Sequence, residues 1–392
     1  MIYQKEFVMG NKILTFLKKE IVFVISFILA SASCFFVTPS EAYLGYIDLN
    51  VLYLLFAFMA VVAGLRDCGV FDKCADFMCR LAGTVRALGC ALVFMCFVFG
   101  MFITNDVALL TFVPFTIMLL AKCAQLKYSI YIVVLQTIAA NLGSMLTPMG
   151  NPQNLFLYSK MGISAIEFCK ILLPYTIVSA AALAVCCLFI PNKKLFEDDN
   201  ARELFFNRTS ETENKSGLKT FRTIVYSTLF IVCILSVLKI IPAWILVIAV
   251  GIIILAIQAK ILLKVDYILL LTFVCFFIFS GNIQNIEFVK NQLQAAVAGR
   301  EFLCGILASQ VISNVPATLL LYPFAVDAKE LLIGVDLGGL GTLIASLASL
   351  ISYKLYANTE GAEGGKFIKV FTLMNLIFIA VLVCSKLIFC RL

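Results

Sequence analysis

Long uncharged runs alternate with short charged connections along the chain, at 21–37, 51–65, 128–159, 171–191, 240–259 and 302–326. A helix rises about 1.5 Å per residue and bilayer hydrocarbon is roughly 30 Å thick, so several of these runs span it or nearly do. At ~20 apolar residues per crossing, the pattern predicts about nine spanning helices and two hairpins. Two apolar stretches carry polar residues at their centres, Thr104-Asn105-Asp106 and Ser313-Asn314-Val315. The run 302–326 is too short for two full crossings and too polar at its middle for one ordinary helix. It therefore predicts a re-entrant hairpin, two half-length helices meeting at a tip buried in protein. Residues 87–121 predict a second one.

The two polar centres are copies. A shift of 209 positions brings Thr104 onto Ser313, Asn105 onto Asn314, Ala108 onto Ala317, Leu110 onto Leu319, Pro114 onto Pro323 and Phe115 onto Phe324. A second matched pair follows at a shift of 195, residues 141–155 onto 336–350, where Leu142, Gly143, Thr147 and Leu155 are identical to their partners. The second copy is thus shorter between its motifs, and the loss is expected in the connection through 122–127. Within 142–154 and 337–349, glycine and proline break the helix and bare its carbonyl oxygens and amide hydrogens. Unwound backbone at membrane depth is tolerated only where it lines a cavity or coordinates an ion.

These features give an all-α polytopic membrane protein of two inverted repeats, each with a re-entrant hairpin and a broken transmembrane helix. Residues 1–45 form an N-terminal cytoplasmic segment and a first helix standing apart from the repeats. Repeat one is 46–190, with hairpin 87–121 and broken helix 128–158. Residues 191–222 are a polar cytoplasmic linker, and repeat two is 223–392, with hairpin 302–326 and broken helix 331–353. Two repeats that place the same costly feature at membrane depth are the build of a secondary transporter.

Composition agrees: 62% of residues are hydrophobic and 14% charged, against roughly 45–50% and 25% in soluble domains. The 15 cysteines lie scattered in apolar runs without paired metal-ligand spacing and read as small hydrophobes. With no histidine, imidazole is excluded as base or proton relay, so any transported proton is carried by carboxylates. The net charge of +7 reflects topology, not a nucleic-acid partner. Most lysines and arginines fall in segments that share one side if the N-terminus is cytoplasmic, which places the C-terminus outside. The run 21–37 is followed by Thr38-Pro39-Ser40-Glu41 and not by a small-residue cleavage site, so it is expected to remain as a helix. Asn207-Arg208-Thr209 fits a glycosylation sequon but falls on the cytoplasmic side. Gly338-Gly339-Leu340-Gly341 has no preceding strand and is not a nucleotide loop. No cofactor motif is present, and Na+ or H+ is the expected coupling ion.

A buried tip beside a helix break offers two chemistries. Backbone carbonyls at Gly143, Gly150, Gly338 and Gly341, with the side chains of Thr104, Asn105, Asp106, Ser313, Asn314 and Asp336, supply hard oxygen ligands for a small cation. Half-helix N-termini turn partial positive charge toward an anion, which places Thr104, Asn105, Asn151, Pro152, Ser313, Asn314 and Thr318 as substrate contacts. Asp106 and Asp336 have no sequence-adjacent lysine or arginine, and an ionised carboxylate at that depth demands compensation by a cation or proton.

Asparagine-bearing tips followed by a Gly/Pro-broken helix, in both halves, resemble the ion transporter superfamily. That superfamily includes divalent-anion:sodium symporters, citrate transporters, arsenite permeases and one class of sodium/proton antiporters. The resemblance covers nearly the whole chain. It implies a homodimer in the inner (cytoplasmic) membrane whose hairpins and broken helices move as one block against a scaffold, carrying a small carboxylate such as citrate or a C4-dicarboxylate. In the sodium-coupled carboxylate branch each tip reads Ser-Asn-Thr. Here the third positions are Asp106 and Val315, while Asp336-Leu337-Gly338 resembles the arsenite permeases. Arsenite or antimonite efflux, or sodium/proton exchange, is the alternative. An enzyme is the rival of a different class, since two membrane aspartates could form an aspartyl protease dyad. The expected Tyr-Asp and Gly-x-Gly-Asp contexts are absent, because Asn105 precedes Asp106 and Val335 precedes Asp336.

Overall fold

A computed structural model describes residues 20–71, 73, 82–195 and 217–389. The described residues are helical throughout, with no strand among them beyond one isolated bridge between Thr84 and Lys194. Among the described residues seven helices are long and apolar enough to cross a bilayer, or eight if the bent pair Glu287–Val297 and Glu301–Ile312 counts as one span. Large side chains on the outer helices are apolar and exposed, among them Ile177, Leu188, Trp244 and Ile252, as a lipid-facing surface requires.

In chain order the helices that matter are α1 (Ile21–Ser33), α2 (Ala42–Tyr46), α3 (Leu49–Asp67), α4 (Val85–Ile103), α5 (Asn105–Lys122), α6 (Ser129–Ser144), α7 (Pro152–Met161), α8 (Ala165–Leu188), α9 (Gly217–Val237), α10 (Ala243–Gln258), α11 (Tyr267–Gln284), α12 (Glu287–Val297), α13 (Glu301–Ile312), α14 (Asn314–Leu321), α15 (Ala328–Gly338), α16 (Leu347–Ala357) and α17 (Gly364–Phe389). Their starts follow local chemistry. Asp48 caps α3 by accepting from Val51 N at 3.1 Å, Asp266 caps α11 through Leu269 N at 2.9 Å, and Asp327 caps α15 through Lys329 N at 2.8 Å. Gly162, at φ 67°, closes α7 in the left-handed conformation that glycine adopts without strain.

Both repeats show the same succession: helix, tip, helix, then a helix that breaks and resumes. In repeat one these are α4, Thr104, α5, α6, a break at 145–151, and α7. In repeat two they are α13, Ser313, α14, α15, a break at 339–346, and α16. The first arm packs against the helix that breaks in each case, α4 on α6 and α13 on α15. That packing is close. A methyl group on Gly143 of α6 would meet Phe97 O at 2.0 Å, and one on Gly338 of α15 would meet Ser309 Oγ at 2.7 Å and Ile306 Cα at 2.9 Å. Phe97 and Ile306 are themselves partners at the shift of 209.

Four expectations need correction. The arms of hairpin one are 19 and 18 residues, not half-length, whereas those of hairpin two are 12 and 8. The shortening of repeat two is spread over an arm, a connection and a helix start. The 18-residue α5 is matched by the 8 residues of α14 plus a three-residue 3-10 turn, and the 16-residue α6 by the 11-residue α15. The first helix ends at Ser33 and not at 37, where hydroxyl and thiol bonds to Ala30 O draw the chain into turns. Helix α9 starts at Gly217, inside the expected linker, because the apolar stripe begins before the last basic residue. Residues 196–216 of that linker, with its sequon, and the N-terminal lysines up to Lys19 lie outside the described residues.

Candidate functional site

The two tips share an unusual backbone. Thr104 (φ 73°, ψ 148°) and Ser313 (φ 73°, ψ 152°) occupy a region that is essentially reserved for glycine and costs a side-chain-bearing residue about 1–3 kcal/mol. Strain of one kind at matched positions marks a place where the side chain is retained for another reason. Each tip is pinned to its own repeat's break, with Asn105 N donating to Gly150 O at 3.2 Å and Asn314 N donating to Ala345 O at 2.9 Å. Each asparagine also accepts from the next amide, Asn105 Oδ1 from Asp106 N at 2.9 Å and Asn314 Oδ1 from Val315 N at 3.0 Å.

The breaks are held by matched threonines. Thr147 Oγ1 donates to Met101 O, and Thr342 Oγ1 donates to Gln310 O at 3.1 Å. The resumed helices are capped alike, α7 by Asn151 accepting from Asn154 N at 2.9 Å and α16 by Ser346 accepting from Ser349 N at 3.1 Å. Four half-helix N-termini therefore gather at the centre, those of α5, α7, α14 and α16, each a pole of partial positive charge.

The repeats then exchange contacts. Asn151 Nδ2, in the first break, donates to Asp336 Oδ1 on α15 at 3.3 Å, and Gln153 Nε2 joins it at 3.2 Å. Reciprocally, Ser346 Oγ, in the second break, donates to Asn141 Oδ1 on α6 at 3.2 Å, and Asn105 Nδ2 reaches the same oxygen at 2.9 Å. Asn141 corresponds to Asp336 and Asn151 to Ser346, so each break reaches across to the same place on the other repeat. The donors differ, an amide at Asn151 and a hydroxyl at Ser346, and the acceptor is an amide in α6 where α15 has a carboxyl. Asp336 is buried, and its Oδ2 accepts no hydrogen bond among the described residues.

A cavity of about 970 Å³ opens beside tip one, large enough for a small organic solute. Thr104, Asp106 and Pro152 form its inner end, while Arg66, Asp67, Lys264 and Asp266, all exposed, form its mouth at the C-terminal end of α3. At the N-terminal end of α3 side-chain contacts tie the helices together. Lys160, the basic residue of the last turn of α7, pairs with Asp48 at 2.7 Å, Phe156 packs edge-on to Tyr322, and Lys239 lies over the Tyr158 ring.

Of the residues singled out from the sequence, Thr104, Asp106 and Pro152 line the cavity, and Asn105, Asn151 and Asp336 lie in the bonded network behind it. Ser313, Asn314 and Thr318 are buried behind tip two, the Thr318 hydroxyl bonded to Asn314 O at 2.7 Å within its own helix. Gly143 and Gly338 are still helical, and the Gly338 carbonyl accepts from Gln310 Nε2 at 2.9 Å. Gly341, at φ 110°, donates its amide to Asn375 Oδ1 at 3.3 Å. Sequence reasoning missed Asn141, Gln153, Ser346, Gln310 and Arg66. The first and third were discoverable, since polar residues occupy both members of each pair at the shift of 195.

The chain matches the citrate transporter family over residues 13–349. It is similar to an uncharacterized transporter of Methanocaldococcus jannaschii, 28% identical over 90% of this chain and 93% of the relative. It is also 30% identical to the Escherichia coli inner membrane protein YbiR, over 79% of this chain and 80% of that protein. A shorter similarity, 34% over 35% of the chain and 28% of the relative, is to the rice silicon efflux transporter LSI3. Family and transporter-named relatives are carriers, not enzymes, which removes the protease reading.

Proposed function

The chain belongs to the citrate transporter family and is a multi-pass secondary transporter of that anion-carrying group, and from this premise we propose that it moves a small carboxylate, such as citrate or a C4-dicarboxylate, by ion-coupled alternating access. The observation that carries the reading is the reciprocal exchange between breaks, Asn151 to Asp336 and Ser346 to Asn141. A two-fold relation between oppositely oriented repeats produces such an exchange, and it sets one shared site at the meeting of four helix N-termini.

The cavity lies toward the C-terminal end of α3, while Lys160 and Asp48 pair at the other end, an arrangement that supports a state accessible from one side. With the N-terminus cytoplasmic, that side is the cytoplasm. Hairpins and broken helices pack on one another, while α3, α9 and α10 form a separate group, a division suited to an elevator-type motion of one block past the other. Asp336, with Asn151 and Gln153 as neighbours, is the coupling group for Na+ or H+, and Asp106 is the second candidate. The tip side chains Thr104, Asn105, Ser313 and Asn314 complete the cation and substrate contacts. A homodimer in the cytoplasmic membrane is part of the same proposal.

Efflux of a small hydroxylated acid such as arsenite, or sodium/proton exchange, is the second reading, favoured by the acids at 106 and 336 and by the similarity to a silicon efflux transporter. Uptake of labelled citrate and succinate into proteoliposomes, with and without a sodium gradient, separates the two. Sodium-driven uptake supports the first. Carboxylate-blind vesicles together with arsenite resistance conferred on cells support the second.

A further inference from the structure

The charges that line the cavity bear on the form in which a solute enters it. Five charged side chains face it: Arg66, Asp67, Asp106, Lys264 and Asp266. Lys264 and Asp67 are paired with each other and cancel. Asp106 stands in the first turn of α5, whose positive pole offsets about half of its charge. The N-terminus of α7 at Pro152 adds roughly another half unit and Arg66 is set against the opposing carboxylate of Asp266, so the fixed charges of the wall sum to about zero, and Arg66 is the one full positive charge of the lining not paired with Asp67. Apart from the hydroxyls of Thr104 and Thr111, the latter donated to Val107 O at 2.9 Å, the rest of the wall is apolar, with Phe58, Met59, Phe115 and Met118, and offers no positive charge to a second carboxylate.

Arg66 is placed to meet the solute. It projects from the end of α3, and its Nη2 donates to Leu110 O at 2.9 Å. Leu110 lies one turn beyond Asp106 on α5, about 6 Å along the helix axis at 1.5 Å per residue. The guanidinium has five N–H donors and its planar fork suits one carboxylate.

Resting on the transport reading above, we propose that Arg66 selects solute by charge, and that this cavity accepts a carboxylate bearing a single net negative charge. A dicarboxylate then enters with one carboxyl group protonated, and fully ionised di- and tricarboxylates are turned away by Asp106 and Asp266.

The test uses purified full-length protein in detergent and a pair of ligands with one carbon skeleton, succinate and its monoamide succinamate, at neutral pH. Thermal stabilisation reports binding, and counterflow in proteoliposomes reports transport. Succinamate is expected to stabilise the wild type at concentrations at least about tenfold below succinate, the factor that corresponds to 1.4 kcal/mol. Arg66→Gln is expected to lose that stabilisation and Arg66→Lys to keep part of it, while Asp266→Asn at the mouth narrows the gap between the two ligands. Succinate binding as tightly as succinamate in the wild type, or Arg66→Gln binding succinamate undiminished, overturns the charge rule and leaves carboxylate transport standing. Failure of succinate, succinamate and citrate alike to bind or exchange overturns the carboxylate reading, and the charge rule with it.

Discussion

Tip one and tip two share a backbone conformation, an asparagine, a pinned break and a capped helix, yet they meet different surroundings. Thr104 is half-exposed at the inner end of a cavity with Asp106 beside it, whereas Ser313 is fully buried and is followed by Val315. Chemistry diverges the other way one layer deeper, where repeat one has neutral Asn141 and repeat two has Asp336. Near-identical local structure has thus been given one acid per repeat at non-equivalent positions. The shared framework builds the pocket, and in the proposed function the unshared acids bias it toward a cation.

The largest break in that comparison is to remove the deeper difference. Asp336→Asn should reduce coupled transport on the order of a hundredfold, since hydrogen bonds to a charged group contribute about 1.5–3 kcal/mol and each 1.4 kcal/mol is tenfold. Combining it with Asn141→Asp, which moves the acid to the equivalent place, should recover part of the loss. Initial uptake rates of the single and double variants decide this, and a double variant no better than Asp336→Asn argues against equivalence.

Next in size is packing. Gly143→Ala drives a methyl group to 2.0 Å from the Phe97 carbonyl oxygen, while Gly338→Ala meets the movable Ser309 hydroxyl at 2.7 Å and Ile306 Cα at 2.9 Å. Overpacking costs typically about 1–3 kcal/mol, so the first should lie at the upper end and the second below it. Thermal unfolding in detergent ranks them. Equal destabilisation would show that the two interfaces do not differ as described.

Strain at the tips supplies a smaller and opposite effect. Thr104→Gly and Ser313→Gly should each stabilise the fold by up to about 1 kcal/mol, because relief of a glycine-only conformation is partly offset by the extra freedom of the unfolded chain. Only Thr104→Gly, at the cavity, should also weaken solute binding in the state described here. The smallest effect belongs to the ion pair at the other end of α3. The Lys160–Asp48 pair is partly exposed and contributes about 0.2–1 kcal/mol, so Lys160→Gln should shift the balance of accessible states only a few-fold. Solvent accessibility of a reporter at Tyr158, measured by labelling rate, reads that shift.

Much of this was legible in the sequence for physical reasons. A polar triplet inside an apolar run has few solutions in lipid, so both turns fall within the polar stretches the sequence marks, at the first residue of Thr104-Asn105-Asp106 and of Ser313-Asn314-Val315. Breaks at Gly and Pro were located to within a few residues for the same reason. Arm lengths were not legible. Hydrophobicity does not say where the helix of hairpin one stops being in lipid, so its 19-residue first arm looked like half a hairpin. Gln153 was hidden as well, because its counterpart at the shift of 195 is Ala348 and it is an ordinary polar residue until Asp336 of the other repeat is brought alongside it. In the sequence Arg66 is one of many basic residues that set topology, and the cavity beside the end of α3 makes it a lining residue.

The central claim is that both breaks close one site between the repeats. A double-mutant cycle on Asn151 and Asp336, using Asn151→Ala, Asp336→Asn and their combination with thermal stability as readout, tests it most directly. The account predicts a coupling of about 0.5–3 kcal/mol, as contacting groups in one hydrogen-bond network show, and a similar coupling for the reciprocal pair Asn141 and Ser346. Strict additivity in both cycles would contradict a shared site.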